Sequence, residues 1–215
     1  MLVTVANETI HLLPQRAVYW PARRMLVAAD IHFGKAASFR AKGVPVPHGT
    51  TKANLDDLDA LLACHDVGHI LFLGDFLHAK AAHARRTLDA IRHWRMRHPA
   101  LSLTLVRGNH DSHAGDPPSD LQIETVDEPH RIGPFAFCHH PQQCVGAYVL
   151  AGHVHPVYRL AAAGDALRLP CFLVGPHAAL LPAFGAFTGG FPVSPRSDEQ
   201  VFVVADERTF RIPNR

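Results

Sequence analysis

LSLTLVRGNHD, Leu101–Asp111, opens on an apolar run and closes on a burst of polar side chains. Leu101–Val106 has the composition of a strand buried on both faces. Gly-Asn is turn chemistry, and Asn, His and Asp are poor strand residues. The stretch therefore reads as a buried strand that delivers groups able to bind metal or move protons at its carboxyl end. An isolated surface turn is the plain alternative, and the rest of the chain decides between them.

Four more apolar runs end in the same way. Met25–Asp30 (MLVAAD) runs into DIHFGK and His69–Asp75 (HILFLGD) into GDFLHAK, while Pro134–Pro141 reads PFAFCHHP and Ala147–Pro156 reads AYVLAGHVHP. Helical stretches lie between the first of these. Thr50–His65 carries Leu55, Leu58, Leu61 and Leu62 near the 3.6-residue helical period, with Thr50 or Thr51 as its cap, and Ala81–Arg97 forms a second helix that stops before Pro99. Strand–helix–strand alternation predicts an α/β fold. The last third, with CFLVGP and EQVFVVAD, predicts a second sheet. No repeat, low-complexity tract or linker divides the chain, so residues 1–215 read as one domain. The stretch 182–195, PAFGAFTGGFPVSP, is either a loop packed back on the core or a wall of a cleft.

Composition sets bounds. The chain is 47% hydrophobic, with a mean hydropathy of +0.02. No apolar segment approaches the ~18 residues of a spanning helix, and MLVTVANETIHLLP has neither a basic n-region nor a cleavage site. A cytoplasmic protein without membrane contact is expected. Cys64, Cys138, Cys144 and Cys171 lack CxxC spacing and read as small buried hydrophobes in a reducing compartment. A net charge of +2 is too mild to establish a nucleic-acid partner. Histidine, at 17 residues against 19 carboxylates, is the outlier, so placement must separate functional histidines from incidental ones. His78, His83, His93 and His98 lie in an arginine-rich helical stretch and read as a solvated face. Arg85, Arg86, Arg92, Arg95 and Arg97 there are either a patch for a phosphate backbone or ordinary solvent-facing helix formers.

Taken in order, the five strand ends present Asp30-x-His32, Gly74-Asp75, Gly108-Asn109-His110-Asp111, His139-His140 and Gly152-His153-x-His155. Carboxyl ends of strands in an open α/β sheet share one edge, so residues distant in sequence converge there. The donors are all nitrogen or oxygen with no thiolate, which favours manganese, iron or zinc over a structural zinc site. Asp75 is able to bridge two ions about 3.5–4 Å apart, the clamp for displacement at phosphorus. The glycines before Asp75, Asn109 and His153 allow turns that bring backbone and side chain close to the ions.

D-x-H, G-D, G-N-H-D, H and G-H-x-H, in that order from Asp30 to His155, resemble the signature of the calcineurin-like metallophosphoesterases. The resemblance implies a four-layer αββα sandwich, two facing mixed sheets flanked by helices. It implies that Asp30, His32 and His155 hold one metal and Asn109, His139 and His153 the other, with Asp75 between, and that a water shared by the ions is the nucleophile. His110 would be the catalytic histidine and Asp111 the group that orients its ring. Of the adjacent pair His139 and His140 only one should be a ligand, because neighbours on a strand face opposite ways, and the family pattern places it at His139. Arg107 is a candidate substrate contact or an ion-pair partner, and Lys35 and Arg40 are candidate phosphate contacts on an equal footing. His78 is also placed to reach the rim.

DIHFGKAASFRAKGVPVPHGTT, GDFLHA, CHHP, AGHVHP and LPAFGAFTGG resemble one bacterial branch, the ligase-associated DNA damage response endonucleases, the PdeM family. That resemblance implies a manganese-dependent DNA end-processing nuclease or phosphodiesterase in DNA repair, associated with a DNA ligase and helicase system. The competing reading is a phosphoesterase for small nucleotides or other small esters. A scaffold with a decayed site would have lost ligands, and this chain has lost none.

Overall fold

In a computed structural model of the chain, the structure describes residues 1–46, 49–78, 85–162 and 165–213. Two mixed sheets lie face to face. The first is built from β1 (Leu2–Val5), β2 (Glu8–Leu12), β3 (Ala17–Trp20), β4 (Met25–Ala29), β5 (His69–Leu73), β6 (Ser102–Val106) and β7 (Ile123–Val126), in that spatial order. Its first four strands are antiparallel neighbours, and β4 to β7 are parallel. The crossovers carry α1 (Lys35–Ala41), α2 (Thr50–Cys64) and α3 (Arg85–Arg97), and α4 (Asn109–Ala114) follows β6. Every parallel step moves the same way along the sheet, so right-handed crossovers put these helices on one face and leave the other free.

Alternation along the strands fills both faces. Leu26, Ala28, Ile70, Phe72, Leu103 and Leu105 pack under Leu55, Leu58 and Leu61 of α2 and Ile91 and Trp94 of α3. Their neighbours Val27, Ala29, Leu71, Leu73 and Val106 meet Phe135, Phe137, Leu150, Phe172 and Phe202 of the second sheet. Each fully buried aromatic or aliphatic side chain contributes about 1.5–3 kcal/mol. That is why these strands read as continuous apolar runs.

The second sheet contains β8 (His130–Ile132), β9 (Phe135–Cys138), β10 (Tyr148–Ala151), β11 (Pro156–Ala162), β12 (Asp165–Val174), β13 (Ala178–Leu180), β14 (Phe191–Pro192), β15 (Gln200–Ala205) and β16 (Arg208–Ile212). Two of the five polar-ended runs, β9 and β10, thus belong to this sheet. The two facing mixed sheets agree with expectation, but among the described residues all α-helices precede residue 115, and the outer face of the second sheet is covered by Cys144, Ala147 and Val193 in loops. Its parallel connection from β9 to β10 is the loop 139–147, which carries no helix.

Two local expectations are corrected, and a third lies partly outside the described residues. Gly49, at φ 87°, caps α2 without any side-chain hydrogen bond, so neither Thr50 nor Thr51 does so. Cys64 is exposed and Cys144 only half-buried, while Cys138 and Cys171 are buried, and all four are free. The second helix is described from Arg85, and Ala81–Ala84, with His83, lie outside the described residues, as do Pro47 and His48 of the GVPVPHGTT loop.

Candidate metal centre and active site

The carboxyl ends of β4, β5, β6, β9 and β10 meet at one rim, and the turns that follow are strained in a shared way. Asp30, His32, Asp75, His153 and His155 all have left-handed backbone, with φ of 53°, 49°, 49°, 67° and 50°. For residues other than glycine this costs about 1 kcal/mol or more each and persists only where the surroundings dictate it. Here they do. Asp30 Oδ2 accepts the His153 backbone N–H at 2.8 Å, and Asp75 Oδ1 accepts that of His110 at 3.0 Å. Glycine is required where these turns touch: a Cβ on Gly108 would lie 2.5 Å from Asp75 Oδ1, and one on Gly152 would lie 2.6 Å from Asp30 Oδ2.

The remaining donor atoms face inward. His155 Nε2 and His139 Nδ1 lie 3.4 and 3.6 Å from Asp30 Oδ1, and His32 Nε2 lies 3.6 Å from Asp75 Oδ2. His139 Nε2 is 2.9 Å from Asn109 Oδ1, 3.0 Å from His153 Nδ1 and 3.5 Å from Asp75 Oδ1. All seven donors named from the sequence come together, and Asp75 turns one oxygen to each group. Among the described residues, Asp30 Oδ1 and His32 Nε2 are buried polar atoms with no hydrogen-bond partner. Orphans of this kind are costly in a dry interior. Nitrogen and oxygen donors, two of them orphaned and all drawn from residues able to converge on cations, fit divalent metal ions. Burial, helped by Lys35 and the neighbouring histidines, drives the His32 pKa far down, which keeps its ring neutral as a ligand must be.

His139 and His140 are separated by strand alternation. Phe135, Phe137 and His139 face the intersheet core, and His139 is fully buried. His140 is held by Glu128, its Nδ1 against Oε1 at 2.7 Å and its backbone N–H donating to Oε2 at 2.8 Å, while its ring stays 4.5 Å from that of His153, within reach of the same donor group. His110 projects at the mouth with Nε2 3.9 Å from Asp75 Oδ2, while its Nδ1 hydrogen-bonds the His78 carbonyl at 2.7 Å.

That contact corrects the reading of Asp111. Its carboxylate does not hold the His110 ring: Oδ1 accepts from Phe76 N and Leu77 N at 2.9 and 3.3 Å, and Oδ2 from Gly108 N at 2.9 Å. Asp111 ties the loop after β5 to the loop after β6. Burial pushes its pKa up to about 6 against those hydrogen bonds, with Asp75 adding to the rise.

The substrate candidates part company. Arg107 is engaged by Asp116 at 2.9 Å and Asp127 at 2.8 Å, the ion-pair alternative, although it lines an open depression of about 380 Å³ with Asn109, Glu128 and His140. Lys35 is half-buried, with Nζ donating to Thr188 O at 3.1 Å, and burial lowers its pKa against the opposing pull of Asp75 and Asp30. Arg40 is half-buried in the last turn of α1. The stretch 182–195 is both things at once. Phe184 is fully buried and its N–H donates to Ala29 O at 2.7 Å, whereas Thr188 reaches Lys35 at the mouth.

His78 is not a solvated residue: its ring stacks on His110 at 4.8 Å, and burial, Lys35 and His110 push its pKa down to about 4. The sequence also left Asn54 unread. It is buried on α2, its Nδ2 donating to Ile31 O and its Oδ1 accepting from Ala186 N, both at 2.9 Å, so it joins the first metal loop to the tail. A polar residue in step with Leu58 and Leu61 on the apolar face of a helix was its signal. Glu128 had none. The helix arginines are mostly matched: Arg92 by Asp89 and Asp120, Arg97 by Asp59, Arg85 by Asp89, and buried Arg95 by the carbonyls of Leu121 and His98.

Facing mixed sheets with this donor set at their common rim define a metal-dependent phosphoesterase, and the chain belongs to the calcineurin-like metallophosphoesterases. It is similar to nuclease MPE of Pseudomonas putida, with 45% identity over 99% of this chain and 99% of that one and a TM-score of 0.89. More distant likenesses are AQ665 from Aquifex aeolicus (16% identity, 61% of this chain and 78% of that one, TM-score 0.41) and a Vps29 variant from Entamoeba histolytica (14%, 87% and 97%, TM-score 0.35). No family model matches the chain, and no curated protein matches it. Among the described residues no helix is long and apolar enough to cross a membrane.

Proposed function

We propose that the chain is a two-metal nuclease that hydrolyses phosphodiester bonds in DNA. The observation that carries this reading is the convergence of seven nitrogen and oxygen donors, two of which, Asp30 Oδ1 and His32 Nε2, are buried without a hydrogen-bond partner. Asp30, His32 and His155 would hold one divalent cation and Asn109, His139 and His153 the other, with Asp75 offering an oxygen to each. Manganese is the preferred metal, with iron and zinc as alternatives. Such ions supply Lewis-acid polarisation of phosphoryl oxygens and lower the pKa of water to about 7.

The chain's own groups do the rest. His110, its Nδ1 facing the His78 carbonyl, presents Nε2 at the mouth, where it stabilises charge on the phosphoryl group or protonates the departing oxygen. Lys35, tethered to Thr188 near both aspartates, holds a phosphate oxygen. Similarity to a Pseudomonas putida nuclease supports a nucleic-acid polymer, and the sequence resemblance points to DNA. Under this reading the natural substrate is a strand or end met in cytoplasmic DNA repair beside a ligase, as the sequence resemblance implies.

The Mn²⁺-loaded protein should cut a DNA strand as well as a 2′,3′-cyclic nucleotide and an aryl phosphodiester. Asp75→Asn should lower kcat/KM by more than the ~10–100-fold that changes behind the ligands cost. Cleavage of the small esters with DNA left intact would move the assignment to a small-molecule phosphodiesterase, and undiminished turnover after exhaustive chelation would end the metal reading.

A further inference from the structure

The two flanks of the site differ in charge. On the His140 side, Arg107 is neutralised by Asp116 and Asp127, and Asp127 and Glu128 line the depression. On the other side stands the β11–β12 hairpin. β11 is antiparallel to β12, which is antiparallel to β13, which is parallel to β10. β11 therefore runs in the direction of β10. Because β10 ends at the rim and β11 begins at Pro156, directly after His155, the hairpin projects outward from the site. Its seven residues reach roughly 20 Å.

Two arginines share one side of this projection. Arg159 and Arg168 are directly opposed in the register, and Arg168 lies in step with Phe172, which faces the intersheet core. By alternation their side of the hairpin is the inner one, and Arg159 also borders the groove lined by Tyr158 and Glu199. Arg168 Nη2 donates to Gly190 O at 2.8 Å, and the next residue, Phe191, donates its N–H to His155 O at 2.9 Å. The guanidinium is anchored beside a metal-ligand turn. Both arginines are exposed, and among the described residues neither has an ion-pair partner. Like charges opposed across two strands destabilise a sheet, and an anion between them relieves the repulsion.

Resting on the nuclease reading, we infer that the β11–β12 hairpin is a clamp for a DNA strand, with Arg159 and Arg168 holding a backbone phosphate that flanks the scissile one. The strand leaves the metal centre on the hairpin side. Small esters, which have no flanking phosphate, do not engage it.

The test compares wild type with Arg159→Ala/Arg168→Ala, matched for melting temperature, on a fluorescent single-stranded oligodeoxynucleotide and on bis(p-nitrophenyl) phosphate. The ratio of kcat/KM on DNA to that on the ester should fall about ten-fold, chiefly through KM. DNA binding by the metal-free proteins, followed by anisotropy against salt, should lose about 0.7 from the log–log slope for each phosphate released. Arg159→Lys/Arg168→Lys should restore most of that slope, and Arg208→Ala should keep the wild-type ratio. An unchanged ratio and slope, or equal losses on both substrates, overturns the clamp alone. A wild-type protein that cuts the ester but neither binds nor cuts DNA overturns the nuclease reading and the clamp together.

Discussion

Asp111 shows how a residue acts at this site without touching the reacting atoms. Its two oxygens take three backbone N–H groups, from Phe76, Leu77 and Gly108, and so set the distance between the loops that carry Asp75 and Asn109. Truncation would leave those buried donors unpaired. Asp111→Ala should therefore destabilise the protein by about 3 kcal/mol or more, read by calorimetry, and should weaken Mn²⁺ binding measured by titration. Full metal affinity in a variant that has lost only turnover would return Asp111 to the role of orienting His110. The candidate donors and their order were legible from the chain because each sits in a short motif. Which polar atom faces which loop was not, since Asp111 and His78 meet partners some thirty residues away in sequence.

At the scale of the element, the strand-end turns do the positioning. Gly74 has φ of 68°, and a Cβ there would stand 2.0 Å from His139 Nδ1 and 2.9 Å from the Gly108 Cα. Gly74→Ala should push His139 out of place and lower the number of Mn²⁺ ions bound per chain, counted by electron paramagnetic resonance. Two ions bound with wild-type affinity would show that the turn has slack that the packing denies. Strands β4, β5, β6, β9 and β10 and helix α2 were readable from apolar runs and helical spacing, because burial on both faces leaves that trace. The cap was not: Gly49 and Thr50 compete for the same turn, and the left-handed backbone that glycine accepts at no cost decided it.

At the scale of the whole molecule, a half-buried imidazole ties stability to pH. His69, at the start of β5, sits 2.9 Å from Thr104 Oγ1, and burial and the nearby His130 lower its pKa although Glu124 opposes them. The folded chain thus prefers the neutral ring. The stabilisation is present above the unfolded value near 6.5 and is lost as pH falls through it towards the lowered folded value. In EDTA, so that metal release plays no part, the melting temperature should fall between about pH 7.5 and about pH 5.5, and less so in His69→Gln. An identical fall in both would remove His69 from the cause.

From its own order of residues the chain determined the α/β character, the five strand ends and the seven donors, because short-range periodicity and short motifs record burial and chemistry locally. Only the tertiary structure decided that β9 and β10 belong to a second sheet and that the Arg159–Arg168 hairpin rises beside the site. These are matters of strand register and of which sheet a strand joins. Both depend on contacts between residues far apart, which no local pattern encodes.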